Sequence, residues 1–99
     1  MSTLALRAYK SMVADLGCIV DLCGAPAMLH HPRFAAGLSQ RSSDWLVIPL
    51  CQEHHQTGGH GVAIHAGQTT FERLYGTEED LLAKTIERVY TEMTRREIR

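Results

Sequence analysis

Apolar residues in the first sixteen positions recur at three- and four-residue steps: Leu6, Tyr9, Met12, Val13 and Leu16. That is helix spacing. It predicts a helix over 3–16, capped by Ser2 or Thr3 and closed by Gly17. From Cys18 to Pro26 no period holds, and Gly24 and Pro26 mark a turn. Residues 27–31 read as a short strand that Pro32 ends. Residues 33–44, rich in Ser and Gln around Gly37, read as a loop. Four large apolar residues in succession, Trp45 to Ile48, predict a second strand. Pro49 then leads into Leu50 to His55, a predicted helix start that Gly58, Gly59 and Gly61 stop. Thr69 to Tyr75 is a short helix ended by Gly76. Thr77 and Asp80 make a near capping box for a last helix. Its predicted apolar face is Leu81, Leu82, Ile86, Val89, Tyr90 and Met93.

Helices flanking a short hairpin make an α+β fold. With 99 residues, one domain is expected: an N-terminal helix (1–16), a core (17–76) and a C-terminal helix (77–99). Ten Lys plus Arg against eleven Asp plus Glu give a net charge of −1, which excludes a polycationic DNA-coating protein. No apolar run approaches a membrane span. Arg7, Lys10 and Asp15 interrupt any signal peptide, so a cytoplasmic protein is expected. Aromatic residues are only 6 per cent, so the core is thin and aliphatic. A chain this short often depends on a metal or disulfide staple.

Six His and three Cys supply the staple. Three cysteines cannot all pair within one chain, and cytoplasmic thiols stay reduced. Cys18 and Cys23 lie on a turn, and Cys51 and His54 lie three apart at a helix start. Small zinc folds hold tetrahedral Zn²⁺ in this way, each short spacing aiming two ligands at one ion. Taken singly, each cysteine also fits an ordinary buried core position. Five histidines remain: His30, His31, His55, His60 and His65. His54 and His55 diverge by about 100° on a helix, so one serves the zinc and the other a second site. His30 and His31 point to opposite sides of a strand, one to bind a metal and one to act on water. A metal on a phosphate oxygen plus a water-deprotonating His is the minimum kit for phosphodiester hydrolysis.

A Cys pair, His30-His31, a loop, a strand, then Leu50-Cys51 with His54-His55 resembles the HNH (His-Me finger) endonucleases. These are built on a treble-clef zinc fold with a ββα-metal core. The stretch from Trp45 to Gly67, followed by Phe71 to Gly76, is similar to the phage recombination-enhancement, RecA-dependent nuclease family. The resemblance covers about residues 17–90 and implies a DNA endonuclease, phage- or prophage-encoded, acting on DNA with a RecA filament as partner. It implies His31 as general base and His30 and His55 as ligands of a catalytic divalent metal (Mg²⁺, Mn²⁺ or Zn²⁺). His65 looks like the family's extra His, completing the metal site or touching phosphate, and His60 is its rival as a metal ligand. The motif's orienting Asn is missing, since the chain has no Asn. Asp44 is nearest in offset and would accept a hydrogen bond from His31. Arg33 and Arg41 flank the loop as candidate phosphate contacts.

Two other readings remain. A zinc treble clef that binds nucleic acid or protein without cutting needs the four zinc ligands but not His30, His31 or His55. A dimerisation partner would use the apolar face of the last helix. Packing of that face on the N-terminal helix is the expected alternative.

Overall fold

The computed structural model describes residues 3–33 and 43–98, with the side chains of residues 97 and 98 left aside. Arg41 and most of the expected 33–44 loop lie outside the described residues. Helix α1 spans Leu4–Asp15, and the Thr3 hydroxyl accepts the Leu6 N–H (3.0 Å), satisfying one orphan donor of its first turn. Strand β1 is Ala27–His30, and β2 is Ile48–Cys51. A π-helical turn, Glu53–Thr57, and a 3₁₀ turn, Ile64–Ala66, lead to α2, Gln68–Tyr75. The long helix α3 runs Glu78–Ile98. Helices around one two-stranded antiparallel sheet are compatible with an α+β class.

The second strand lies further along than the apolar run predicts. Asp44 to Leu46 form a turn, with Trp45 half exposed, and the strand starts at Ile48 and runs through Pro49 and Cys51. Pro49 fits because its carbonyl accepts from the Ile19 N–H (2.9 Å), on the side away from β1. The N–H that proline lacks is therefore one the ladder does not need. The helical turn correspondingly starts after Cys51, not at Leu50.

β2 is buried along its whole length. It lies within a cluster of Cys18, Ile19, Val20, Ile64, Phe71, Leu81 and Leu82. A second, smaller cluster joins Val13 of α1, Val47 and Val89 of α3. The helix-to-helix packing expected for α3 is therefore met at Val89. Its buried line, however, runs through Glu78, Leu81, Leu82, Thr85 and Val89, while Ile86, Tyr90 and Met93 are exposed. Thr85 can sit inside because its hydroxyl donates to the Leu81 carbonyl (2.8 Å). A polar residue that satisfies itself locally is invisible to a count of apolar positions.

Gly17 closes α1 in the left-handed region, at φ +77°. A Cβ there would meet the Gly24 carbonyl oxygen at 2.7 Å, so the chain either side of the Cys18 turn is packed backbone to backbone. Gly17→Ala should lower unfolding free energy by about 1–3 kcal/mol, from backbone strain and the lost close approach. Urea denaturation against wild type measures it.

Candidate metal centres

The turn between α1 and β1 carries two of the four expected zinc ligands. Cys18 N–H donates to the Ala25 carbonyl (2.8 Å) and Cys23 N–H to that of Val20 (3.0 Å). Leu22 in this turn takes φ +67°, fully exposed, which curls the four intervening residues enough to present both sulfurs on one side. The ladder sets Cys51 opposite Ala27, so the strand end arrives beside that turn. His54 follows one helical turn later, its ring edge-on to Tyr75 at the end of α2 (centroids 5.2 Å).

The four donor atoms lie within 4.8 Å of one another. Cys23 and Cys51 sulfurs are 3.8 Å apart, and His54 Nδ1 is 3.4 Å from Cys18 Sγ and 3.2 Å from Cys51 Sγ. Tetrahedral zinc, with bonds of about 2.3 Å to sulfur and 2.0 Å to nitrogen, sets such pairs about 3.8 and 3.5 Å apart. The donor set thus has the right chemistry and nearly the right span. Burial pushes the Cys18 thiol up to about 12, against the opposing pull of backbone N–H groups. The Ala25 N–H holds Cys23 below the ordinary thiol value. A thiol as reluctant as Cys18 keeps its proton at neutral pH until a cation displaces it.

The second cluster gathers His30, His55 and His65, again with one ligand atom from each within 4.8 Å. His30 is the last residue of β1, and Leu29 and His30 pair with Pro49 and Ile48. His55 sits one residue after His54 on the π-helical turn, whose Gly58 N–H donates to the Glu53 carbonyl (2.9 Å). His65 stands on the 3₁₀ turn anchored by buried Ile64. The Nε2 atoms of His55 and His65 are 2.9 Å apart. On its other side, His55 Nδ1 faces the Met28 thioether at 2.7 Å. A thioether is only a weak acceptor, so this contact suits the tautomer with the proton on Nδ1 and the Nε2 lone pair toward the cluster.

Burial, reinforced by His30 and His65, pushes His55 down to about 4. Burial also lowers His65, with His30 and then Arg33 adding to the effect and Glu78 opposing it. Imidazoles crowded around one point, two of them pushed toward the neutral form, suit a cation. His60 does not join them: its Nε2 meets the Thr70 hydroxyl at 3.1 Å, and its ring lies over Gly67.

His31 stands beside this cluster in sequence but has a different carboxylate. Its Nε2 lies 2.8 Å from Asp44 Oδ1, both side chains about a third exposed. The residue that reading the sequence missed is Glu78. It is 1 % exposed, and its carboxylate accepts from His30 Nε2 (2.6 Å), the Arg33 N–H (2.9 Å) and Gln68 Nε2 (3.1 Å). The only signal in the sequence was an acidic residue in the first turn of a helix, which the helix dipole explains by itself.

Fold and clusters together define a small Cys- and His-rich α+β protein with two candidate metal centres on one hairpin. Residues 2–90 match the family model described as "Recombination enhancement, RecA-dependent nuclease". The chain belongs to that family, whose name indicates a nuclease working in RecA-dependent recombination. No curated protein and no solved structure gives a match.

The low value of His55 sets a pH dependence. The folded state holds His55 neutral between its ordinary 6.5 and about 4, where the unfolded chain takes up a proton. The unfolded state then binds more protons, so stability falls as pH drops through that window and is complete above it. Urea midpoints of protein with no metal at the histidine cluster should decline from pH 6.5 to 4, and His55→Gln should flatten that decline.

Proposed function

We propose that the protein is a metal-dependent DNA endonuclease of the HNH (His-Me finger) type, with a structural zinc in a treble clef. The observation that carries this reading is the sharing of one helical turn by two clusters. His54 turns to the three cysteines and His55, its neighbour, to His30 and His65. A purely structural zinc module has no use for the second cluster.

In this reading Cys18, Cys23, Cys51 and His54 hold Zn²⁺, and His30, His55 and His65 hold a divalent cation. Bound there, the cation would polarise the scissile phosphate and stabilise the leaving oxygen. His31 is the general base. Asp44 accepts from His31 Nε2–H at 2.8 Å, which leaves Nδ1 unprotonated to take a proton from water. As that proton arrives, the Asp44 carboxylate stabilises the imidazolium. Arg33 is exposed and close enough to oppose protonation of His65, so its guanidinium fits a phosphate contact next to the cluster.

Net charge −1 predicts weak DNA affinity for the chain alone. Recruitment by a RecA filament on DNA would supply what charge does not. We place the protein in the cytoplasm, where such filaments form, and infer a phage or prophage origin.

Plasmid nicking with Mg²⁺ or Mn²⁺, on naked and RecA-coated DNA, tests the reading. His31→Ala should lower the rate about 10²–10⁴-fold with the fold intact. Cys51→Ser should lose zinc and the folded hairpin. His65→Ala should raise the metal concentration needed for cleavage, while His60→Ala should leave it unchanged. A folded, zinc-loaded protein that cuts neither substrate would make the chain a binding module instead.

A further inference from the structure

Glu78 is the one fully buried carboxylate among the described residues, and it comes from the first turn of α3, 48 positions from the histidine it meets. A carboxylate taken out of water is costly unless its lone pairs are used. Here both oxygens are used. Oε2 faces His30 Nε2 at 2.6 Å, and Oε1 accepts from the Arg33 N–H and from Gln68 Nε2. The Glu78 N–H in turn donates to Glu72 Oε2 (3.3 Å), which ties the junction of α2 and α3 to the same point. Gln68, Glu72 and Glu78 thus form a polar frame around a single contact to His30.

We propose that Glu78 is a positioning residue. It holds His30 as the Nε2–H tautomer, so that Nδ1 is the nitrogen left with a lone pair for a cation. This rests on the reading of His30, His55 and His65 as a metal site, but the tautomer claim stands or falls by itself. Oε1 accepts two N–H bonds, the pattern of an acceptor-only carboxylate, so the hydrogen between Oε2 and Nε2 is assigned to the imidazole. A histidine ligand whose other nitrogen donates to a carboxylate is held in ring orientation as well as in tautomer, and it is the more basic for it. Glu78 also fixes where the chain leaves β1, through Arg33 N–H. The ring and the backbone beside it are therefore set by one side chain. The Met28 thioether faces His55 from the opposite nitrogen, Nδ1.

The test uses ¹⁵N-histidine NMR on the whole chain, zinc-loaded and free of other metals, at pH 7.5, followed by Mn²⁺ titration. His30 should appear as the Nε2–H tautomer in the wild-type protein. A His30 protonated at Nδ1, as the other tautomer or as imidazolium, overturns the proposal without any variant. Glu78→Gln offers one oxygen instead of two and adds donors where acceptors are needed. It should release His30 to a tautomer mixture and weaken Mn²⁺ binding about 10–100-fold. Gln68→Ala removes a donor from Glu78 Oε1 and from Glu72 Oε2 but leaves Glu78 Oε2 on His30, and should leave the His30 tautomer as in wild type. A tautomer unmoved by Glu78→Gln, or moved equally by Gln68→Ala, would mean that Glu78 only braces α3. Wild-type protein with Nε2–H at His30 but no Mn²⁺ binding would sink the metal reading while supporting the positioning role.

Discussion

Four residue pairs across the β1–β2 ladder govern both clusters. With Ala27 opposite Cys51 and His30 opposite Ile48, one end of the hairpin delivers a cysteine to the turn of Cys18 and Cys23. The other end delivers His30 to His55 and His65. A slip of one residue would invert every side chain on β1 and move His30 from the interior to the solvent face. Two strands alone hold register weakly. Here the register is reinforced from outside the ladder. Ile19 pairs with the Pro49 carbonyl, and Glu78 grips the far end of β1.

The clusters are also linked through the turn that follows β2. His54 and His55 are bonded neighbours on one π-helical turn, so their rings must diverge, and the divergence serves two sites at once. The widened turn ends where the Gly58 N–H reaches the Glu53 carbonyl, five residues back. Order at the cysteine cluster therefore bears on where His55 points. Phe71 and Tyr75 of α2 back this arrangement, Phe71 fully buried and Tyr75 against the His54 ring. A thin aliphatic core suffices when polar side chains supply this much of the cross-linking.

What could be read in the sequence was local. The bounds of α1, α2 and α3, the caps at Thr3 and Thr77, and the Cys and His spacings were legible because each depends on residues a few positions apart. The choice between His60 and His65 was not legible. Both follow glycine-rich turns, and only the fold sets His65 against His55 and His60 against Thr70. The late start of β2 was hidden because proline's edge position cannot be told from its sequence. Glu78 was hidden for a similar reason. An acidic residue at a helix start looks like a dipole cap, and nothing local says that it is buried against a histidine 48 positions away. The outer stripe of α3 misled in the opposite sense, since Ile86, Tyr90 and Met93 have helix spacing but face solvent.

Adjacent histidines with separate carboxylates are a way to give two imidazoles different work. His30 and His31 share a peptide bond, yet one meets a carboxylate 1 % exposed and the other a carboxylate 28 % exposed. Around His30 water is excluded, so its partner can fix a tautomer but gains little by exchanging protons with solvent. Around His31 water has access, the imidazole being 32 % exposed. In the proposed nuclease reading, His31 as base needs that access to water, and His30 as ligand needs to be held still. β1 ends at His30, one residue short of the expected 27–31, and His31 follows just beyond it, so the two rings meet different environments. On a strand, His-x-His would place both rings on one face, whereas adjacent histidines separate them.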